Sequence, residues 1–167
     1  MKKNKYNLEK IKLLLLDVDG VMTDGSIIVN STTNSSLKFH THDGYGIIQS
    51  IKHGIPVGII TGRTSMAAKK RATKLGIKEV HWGVPDKVYV YEKIKNKYRL
   101  DDSEIAYIGD DIPDLPIIKK VGFSAAPQDA IEELHKYVSY VTKKSGGKGA
   151  VREVIDLIFE AKKIQMG

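Results

Sequence analysis

The chain has 167 residues, 41% hydrophobic and 28% charged, which suits one packed domain of ordinary size and excludes wholesale disorder. There is no cysteine, so disulfide frameworks, thiolate metal sites and cysteine nucleophiles are excluded. The net charge of +7 sits at the two ends: residues 1–12 hold five Lys against one Glu, residues 143–167 hold six Lys or Arg against three acids, and the stretch between is balanced.

Charged ends on a neutral body read as solubilising segments, not as a nucleic-acid stripe. The basic N-terminus is followed by no apolar signal region of useful length. The longest apolar runs, residues 13–16 and 55–60, are far too short to span a bilayer. A cytoplasmic protein without membrane or nucleic-acid partners is the expectation.

The predicted elements alternate strands with helices. Residues 13–16, four leucines, read as a buried parallel strand leading into Asp17. Residues 26–30 and 37–40 flank a polar stretch and read as a hairpin. Residues 44–53 read as a helix stopping at Gly54, and 56–60 as a second buried strand. Residues 65–75 form a predicted helix ended by Gly76. A short strand at 78–81 precedes a helix at 86–98, with Asp86 as its N-cap. A strand at 105–108, a short helix at 114–120 and a strand at 123–126 follow. The chain closes with a helix at 128–135, a strand at 138–141 and an amphipathic helix at 149–163. That last helix places Val151, Val154, Ile155 and Ile158 on one face. This order predicts a single α/β domain over 1–167: a doubly wound parallel sheet with a hairpin insertion at about 26–40 and no large cap.

In such sheets ligands sit beyond the carboxyl ends of the strands. Reactive residues cluster there. Asp17 and Asp19 follow the first strand. Two carboxylates at one strand tip repel, so a bound cation is a natural compensation. One acid can then act as nucleophile and the other as proton donor. The plainer reading is a pair of aspartates capping a turn. Thr61-Gly62-Arg63 follows the second strand and suits a phosphate oxygen, or a helix cap. Lys87 opens a helix, where a cation opposes the helix dipole, and a phosphate would give it a reason to be there. Asp110, Asp111 and Asp114 follow the fourth strand. They suit a hard cation such as Mg²⁺, or an acid-rich helix start.

Together these segments carry a resemblance. The chain is similar to the haloacid dehalogenase superfamily of phosphotransferases from Asp17 to Asp114. Within it, the chain is similar to the phosphatases of 3-deoxy-D-manno-octulosonate 8-phosphate, through DVDGVMTDG (17–25), HDGYGI (42–47), IITGR (59–63), AYIGDDIPD (106–114) and GGKGAVRE (146–153). The resemblance implies a Mg²⁺-dependent phosphatase of lipopolysaccharide biosynthesis. Asp17 would be the nucleophile, forming an aspartyl-phosphate, and Asp19 the acid and then the base. Mg²⁺ would be held by Asp17, the Asp19 carbonyl and Asp110, and Thr61 and Lys87 would grip the phosphoryl group. Asp111 and Asp114 would support the metal site. His40, Thr41, His42, Asp43, Gly44, Arg63 and Arg71 would contact the sugar acid.

Related nonulosonate 9-phosphate phosphatases tend to carry an acid at the place of Arg63, so Arg63 favours the octulosonate. The chain departs from the family at His42, usually Arg, and at Ile48, Arg in some members. A phospho-accepting receiver domain is a rival, but the strand ending at His81 carries no Asp at its tip. An inactive oligomer-forming domain of the same fold would need a lost site residue, and none is lost. The resemblance also implies a homotetramer whose hairpins roof neighbouring sites. Residues 145–149, rich in glycine, are expected to act as a mobile flap bringing Lys143, Lys144 and Lys148 to an anionic substrate.

Overall fold

Four leucines in succession, Leu13–Leu16, form strand β1, and all four are buried. Strand side chains alternate between faces, so such a run needs cover on both sides. Leu14 and Leu16 enter a core with Ile47, Leu75, Val151 and Ile155. Leu13 and Leu15 enter another with Ile60, Tyr91, Tyr107 and Ile117. The structure is a computed structural model and describes residues 6–28 and 36–165.

Six parallel strands lie in the order β3-β2-β1-β4-β5-β6. Beside β1 these are β2 (Val57–Ile60), β3 (Glu79–His81), β4 (Ile105–Ile108), β5 (Phe123–Ala126) and β6 (Tyr140–Val141). Helices α1 (Thr41–Lys52), α2 (Met66–Leu75) and α6 (Ala150–Lys162) bury side chains on the first face. Helices α3 (Lys87–Tyr98), α4 (Leu115–Ile118) and α5 (Glu132–His135) cover the second. The expected apolar face of α6 is buried, with Phe159 added to it. Asp86 caps α3 by accepting the Tyr89 N–H, and Gly76 ends α2 in the left-handed conformation. No helix among the described residues is long and apolar enough to cross a membrane.

Several expected elements differ. No strand forms at 37–40. Leu37 and Phe39 pack inward on the first core, and His40 is already the extended N-cap of α1, which therefore starts at Thr41. Among the described residues the expected hairpin shows as one antiparallel bridge, Ile28 to Ser36, and residues 29–35 lie outside the described residues. The helix expected at 114–120 starts as a 3₁₀ turn, Ile112–Asp114, and continues as the four-residue α4. The helix at 128–135 shrinks to α5, because residues 127–131 turn and the Ile131 N–H reaches back to the Asp110 carbonyl. Strand β6 loses Ser139, whose side chain and backbone bond to Ser124 instead.

Leu16 lies opposite Ile108 on β4 and Ile59 on β2, so β1 and β4 end level and β2 runs one residue further. From β3 the chain crosses back to β4, next to β1. The order reverses there, and a crevice opens beyond the strand ends.

Candidate active site

Asp17, the first residue past β1, donates its backbone N–H to the Ile108 carbonyl and is held at the sheet end. Its Oδ1 accepts the Val18 N–H at 2.7 Å. Its Oδ2 accepts Lys87 Nζ at 2.8 Å, and the same ammonium donates to Asp114 Oδ1 at 2.7 Å. Lys87 is the first residue of α3 and is buried. The two carboxylates explain why a cation sits against the helix dipole. Asp114 closes the 3₁₀ turn and is fully buried. Its Oδ1 also accepts the Tyr107 hydroxyl at 2.6 Å, and its Oδ2 accepts the Asp110 and Asp111 N–H groups at 3.0 and 3.3 Å.

Carboxylate oxygens of Asp17, Asp110 and Asp114 lie within 4.8 Å of one another. Asp114 is committed to four donors. Asp110 accepts no side-chain hydrogen bond among the described residues, and its Oδ2 rests against Gly20. A Cβ at Gly20 would lie 2.0 Å from that oxygen, and the backbone there has φ +75°, so only glycine fits. Asp17 and Asp110 thus offer hard oxygen donors at one point, the chemistry that suits Mg²⁺. Burial, then the charge of Asp114, push Asp17 up to about 6 even beside Lys87. Burial, then the charge of Asp17, push Asp110 up to about 7. Burial works to lower the Lys87 pKa, but Asp17 and Asp114 outweigh it and hold the ammonium above its ordinary range. A further cation beside Asp17 and Asp110 would favour the ionised form of both carboxylates.

A cavity of about 700 Å³ opens over this cluster, lined also by Asp19, Thr61, Arg63 and Asp111. Asp19 Oδ1 faces Arg63 Nη1 at 3.5 Å, and both atoms are buried without a hydrogen bond among the described residues. Thr61 is buried and its Oγ1 accepts the Arg63 N–H at 3.3 Å. Asp111 caps the 3₁₀ turn through the Ile112 N–H and stands exposed.

The other sequence candidates lie apart. His40 and His42 line a second cavity of about 570 Å³ with Lys143, Lys144, Lys148 and Arg152. Thr41 is exposed at the start of α1. Asp43 is buried and accepts the Gly149 and Arg152 N–H groups, capping α6. Burial raises its pKa against those bonds. Arg71 donates to the His40 carbonyl at 3.4 Å and packs where a Cβ on Gly44 would stand. Within one chain these residues do not line the cavity over Asp17. The glycine segment is no free flap. Gly147 donates to the Val21 carbonyl, and Cβ atoms at Gly146 and Gly147 would collide with the backbone of Gly20, Thr23 and Asp24. Tyr107 went unnoticed in the sequence. A phenol inside an otherwise aliphatic strand, Ile105–Ile108, was the available signal, because a buried hydroxyl needs a partner.

A family model described as haloacid dehalogenase-like hydrolase matches residues 83–155. The 3-deoxy-D-manno-octulosonate 8-phosphate phosphatase of Escherichia coli is 40% identical over 153 residues, 92% of this chain and 81% of that protein. The crystal structure of the Yersinia pestis phosphatase of the same name superposes with a TM-score of 0.92 at 41% identity, covering 94% of this chain and 85% of that one. That of Moraxella catarrhalis, in complex with magnesium, phosphate and KDO, has a TM-score of 0.91 at 39% identity, covering 94% and 90%. Six parallel strands in one order, an acid cluster at the switch point and relatives matched over nearly the whole chain agree: the chain belongs to the haloacid dehalogenase-like hydrolases, in the family of the 3-deoxy-D-manno-octulosonate 8-phosphate phosphatases.

Proposed function

We propose that this chain is a Mg²⁺-dependent phosphatase that hydrolyses 3-deoxy-D-manno-octulosonate 8-phosphate to the free sugar acid and phosphate. One observation carries the reading: Asp17, Lys87 and Asp110 converge beside Asp114 in a single cavity at the strand ends. Family membership and the KDO complex of the Moraxella relative support the substrate.

Asp17 attacks the phosphorus, the bond from phosphorus to the sugar oxygen breaks, and Asp19 delivers its proton to the leaving oxygen. Asp19, now ionised, takes a proton from water, whose oxygen attacks the aspartyl-phosphate and frees Asp17. Thr61 and Lys87 hold the phosphoryl oxygens throughout. Asp17, Asp110 and the Asp19 carbonyl would hold Mg²⁺, which supplies charge neutralisation for the phosphoryl group. Asp111 fixes the turn carrying Asp110 and Asp114. Arg63, half-exposed at the cavity edge, suits the sugar carboxylate.

His40, Thr41, His42, Asp43, Gly44 and Arg71 stand away from this cavity in one chain, so their part in sugar recognition belongs to an assembly. We infer a cytoplasmic homotetramer of single, capless domains in which the hairpins at 26–40 roof neighbouring sites. The exposed Ile27 and Ile28 at the hairpin base support this. A panel of phosphorylated 3-deoxy sugar acids, assayed with Mg²⁺ and with a chelator, tests the reading. The octulosonate 8-phosphate should turn over fastest. Faster turnover of a nonulosonate 9-phosphate would move the assignment.

A further inference from the structure

Tyr107 is fully buried on β4, with its ring in the second core among Leu13, Tyr91 and Ile117. Its hydroxyl spends its donor on Asp114 Oδ1. With Lys87 on the same oxygen and two backbone N–H groups on the other, Asp114 has its roughly four acceptor positions filled. A carboxylate with every lone pair engaged cannot turn. An ammonium has three hydrogens. Lys87 gives one to Asp114 and one to Asp17, which leaves the third for the cavity that Lys87 lines.

We propose, resting on the phosphatase reading above, that Tyr107 is a positioning residue for turnover: its hydroxyl pins Asp114, Asp114 pins Lys87, and Lys87 aims the Asp17 carboxylate. Tyr107 touches neither the substrate nor the reacting atoms. Its hydroxyl shares Asp114 Oδ1 with the ammonium, and this sharing keeps Lys87 from collapsing onto Asp114. Without the hydroxyl, Oδ1 has Lys87 as its sole donor. That pair tightens, and the contact from Lys87 to Asp17 lengthens. The nucleophile then loses its aim at the phosphorus, a defect felt in the transition state more than in substrate binding.

Tyr107→Phe removes the hydroxyl and keeps the ring. The expected result is a kcat lowered about 10- to 100-fold, with KM changed less than about twofold and the melting temperature within about 10 °C of the parent. In a Lys87→Gln background the same substitution should cost less than about twofold, since the relay is already cut. An unchanged kcat overturns the proposal. So does an equal loss in both backgrounds, or a fall in melting temperature beyond that range, because either means that the phenol serves the fold. A crystal structure of the Tyr107→Phe protein needs no turnover. Lys87 Nζ still 2.8 Å from Asp17 Oδ2 overturns the relay, whereas a lengthened contact supports it. Absence of hydrolysis by the unsubstituted protein would sink the phosphatase reading alone, and the crystal structure would still decide the relay.

Discussion

Lys87→Met is the perturbation the site answers most sharply. Methionine fills much of the same volume without charge. Lys87 is 7% exposed in its side chain, Asp17 11% and Asp114 0%, so solvent screens neither ion pair well. Removing one partner of a buried pair costs about 3–5 kcal/mol, because the charge left behind has no compensation. For a chain of this size that is a fall in melting temperature of roughly 6–20 °C. The loss must depend on pH. Asp17 is already pushed up to about 6 and Asp110 to about 7, against 3.8 for an ordinary aspartate. In that window the folded state binds protons that the unfolded chain releases, so metal-free stability falls as pH rises. Deleting the ammonium raises the folded-state carboxylate pKa values further and steepens the slope. Calorimetry in chelator should therefore show a large deficit at pH 8 that narrows at pH 5.5, where protons replace the missing cation. A deficit under about 1 kcal/mol at pH 8, or one that widens on acidification, would refute the electrostatic account.

Asp17→Asn should leave the circular dichroism spectrum intact and abolish turnover, because an amide is a poor nucleophile; near-normal activity would disprove the mechanism. Arg63→Ala should lower kcat/KM for the sugar-acid phosphate and spare a small phosphate ester with no carboxylate. Equal losses on both would assign Arg63 to the phosphoryl group or to Asp19, which it faces at 3.5 Å. Sedimentation at micromolar concentration should report a tetramer, and a monomer would end the shared-site proposal.

The sheet was legible in the sequence because its strands are short apolar runs that serve two cores at once. Residues 13–16 and 105–108 appear in the structure with the expected bounds. Elements built from side-chain bargains were not legible. Ser139 leaves the ladder for Ser124 through contacts that no local pattern encodes, and His40 stands at the N-cap position of α1 where a strand was expected, because Leu37 and Phe39 pack onto the first core. The acids of the site could be found because each follows a strand. What the sequence could not disclose is their pairing. Lys87 lies 70 residues from Asp17 and 27 from Asp114, yet it bonds to both. The same distance in sequence hid the role of Asp43, a cap for a helix that starts more than 100 residues later. It hid as well the separation of His40 and His42 from the main cavity.

The packing of Gly146 and Gly147 onto the loop at 20–24 has a consequence for the timing of folding. A chain made from its N-terminus exposes the loop at 20–24 more than 100 residues before the segment that braces it. At roughly 5–20 residues per second, the loop waits roughly 6–25 seconds for its support. Contacts this distant in sequence also close slowly. The nascent protein thus carries Asp17 beside a loop that lacks its brace until Gly146 and Gly147 have been made. A full-length chain with Gly146→Val and Gly147→Val should accordingly show rapid proteolytic cleavage within 20–24, where the unsubstituted chain resists. Equal resistance would mean that the loop matures without its late partner.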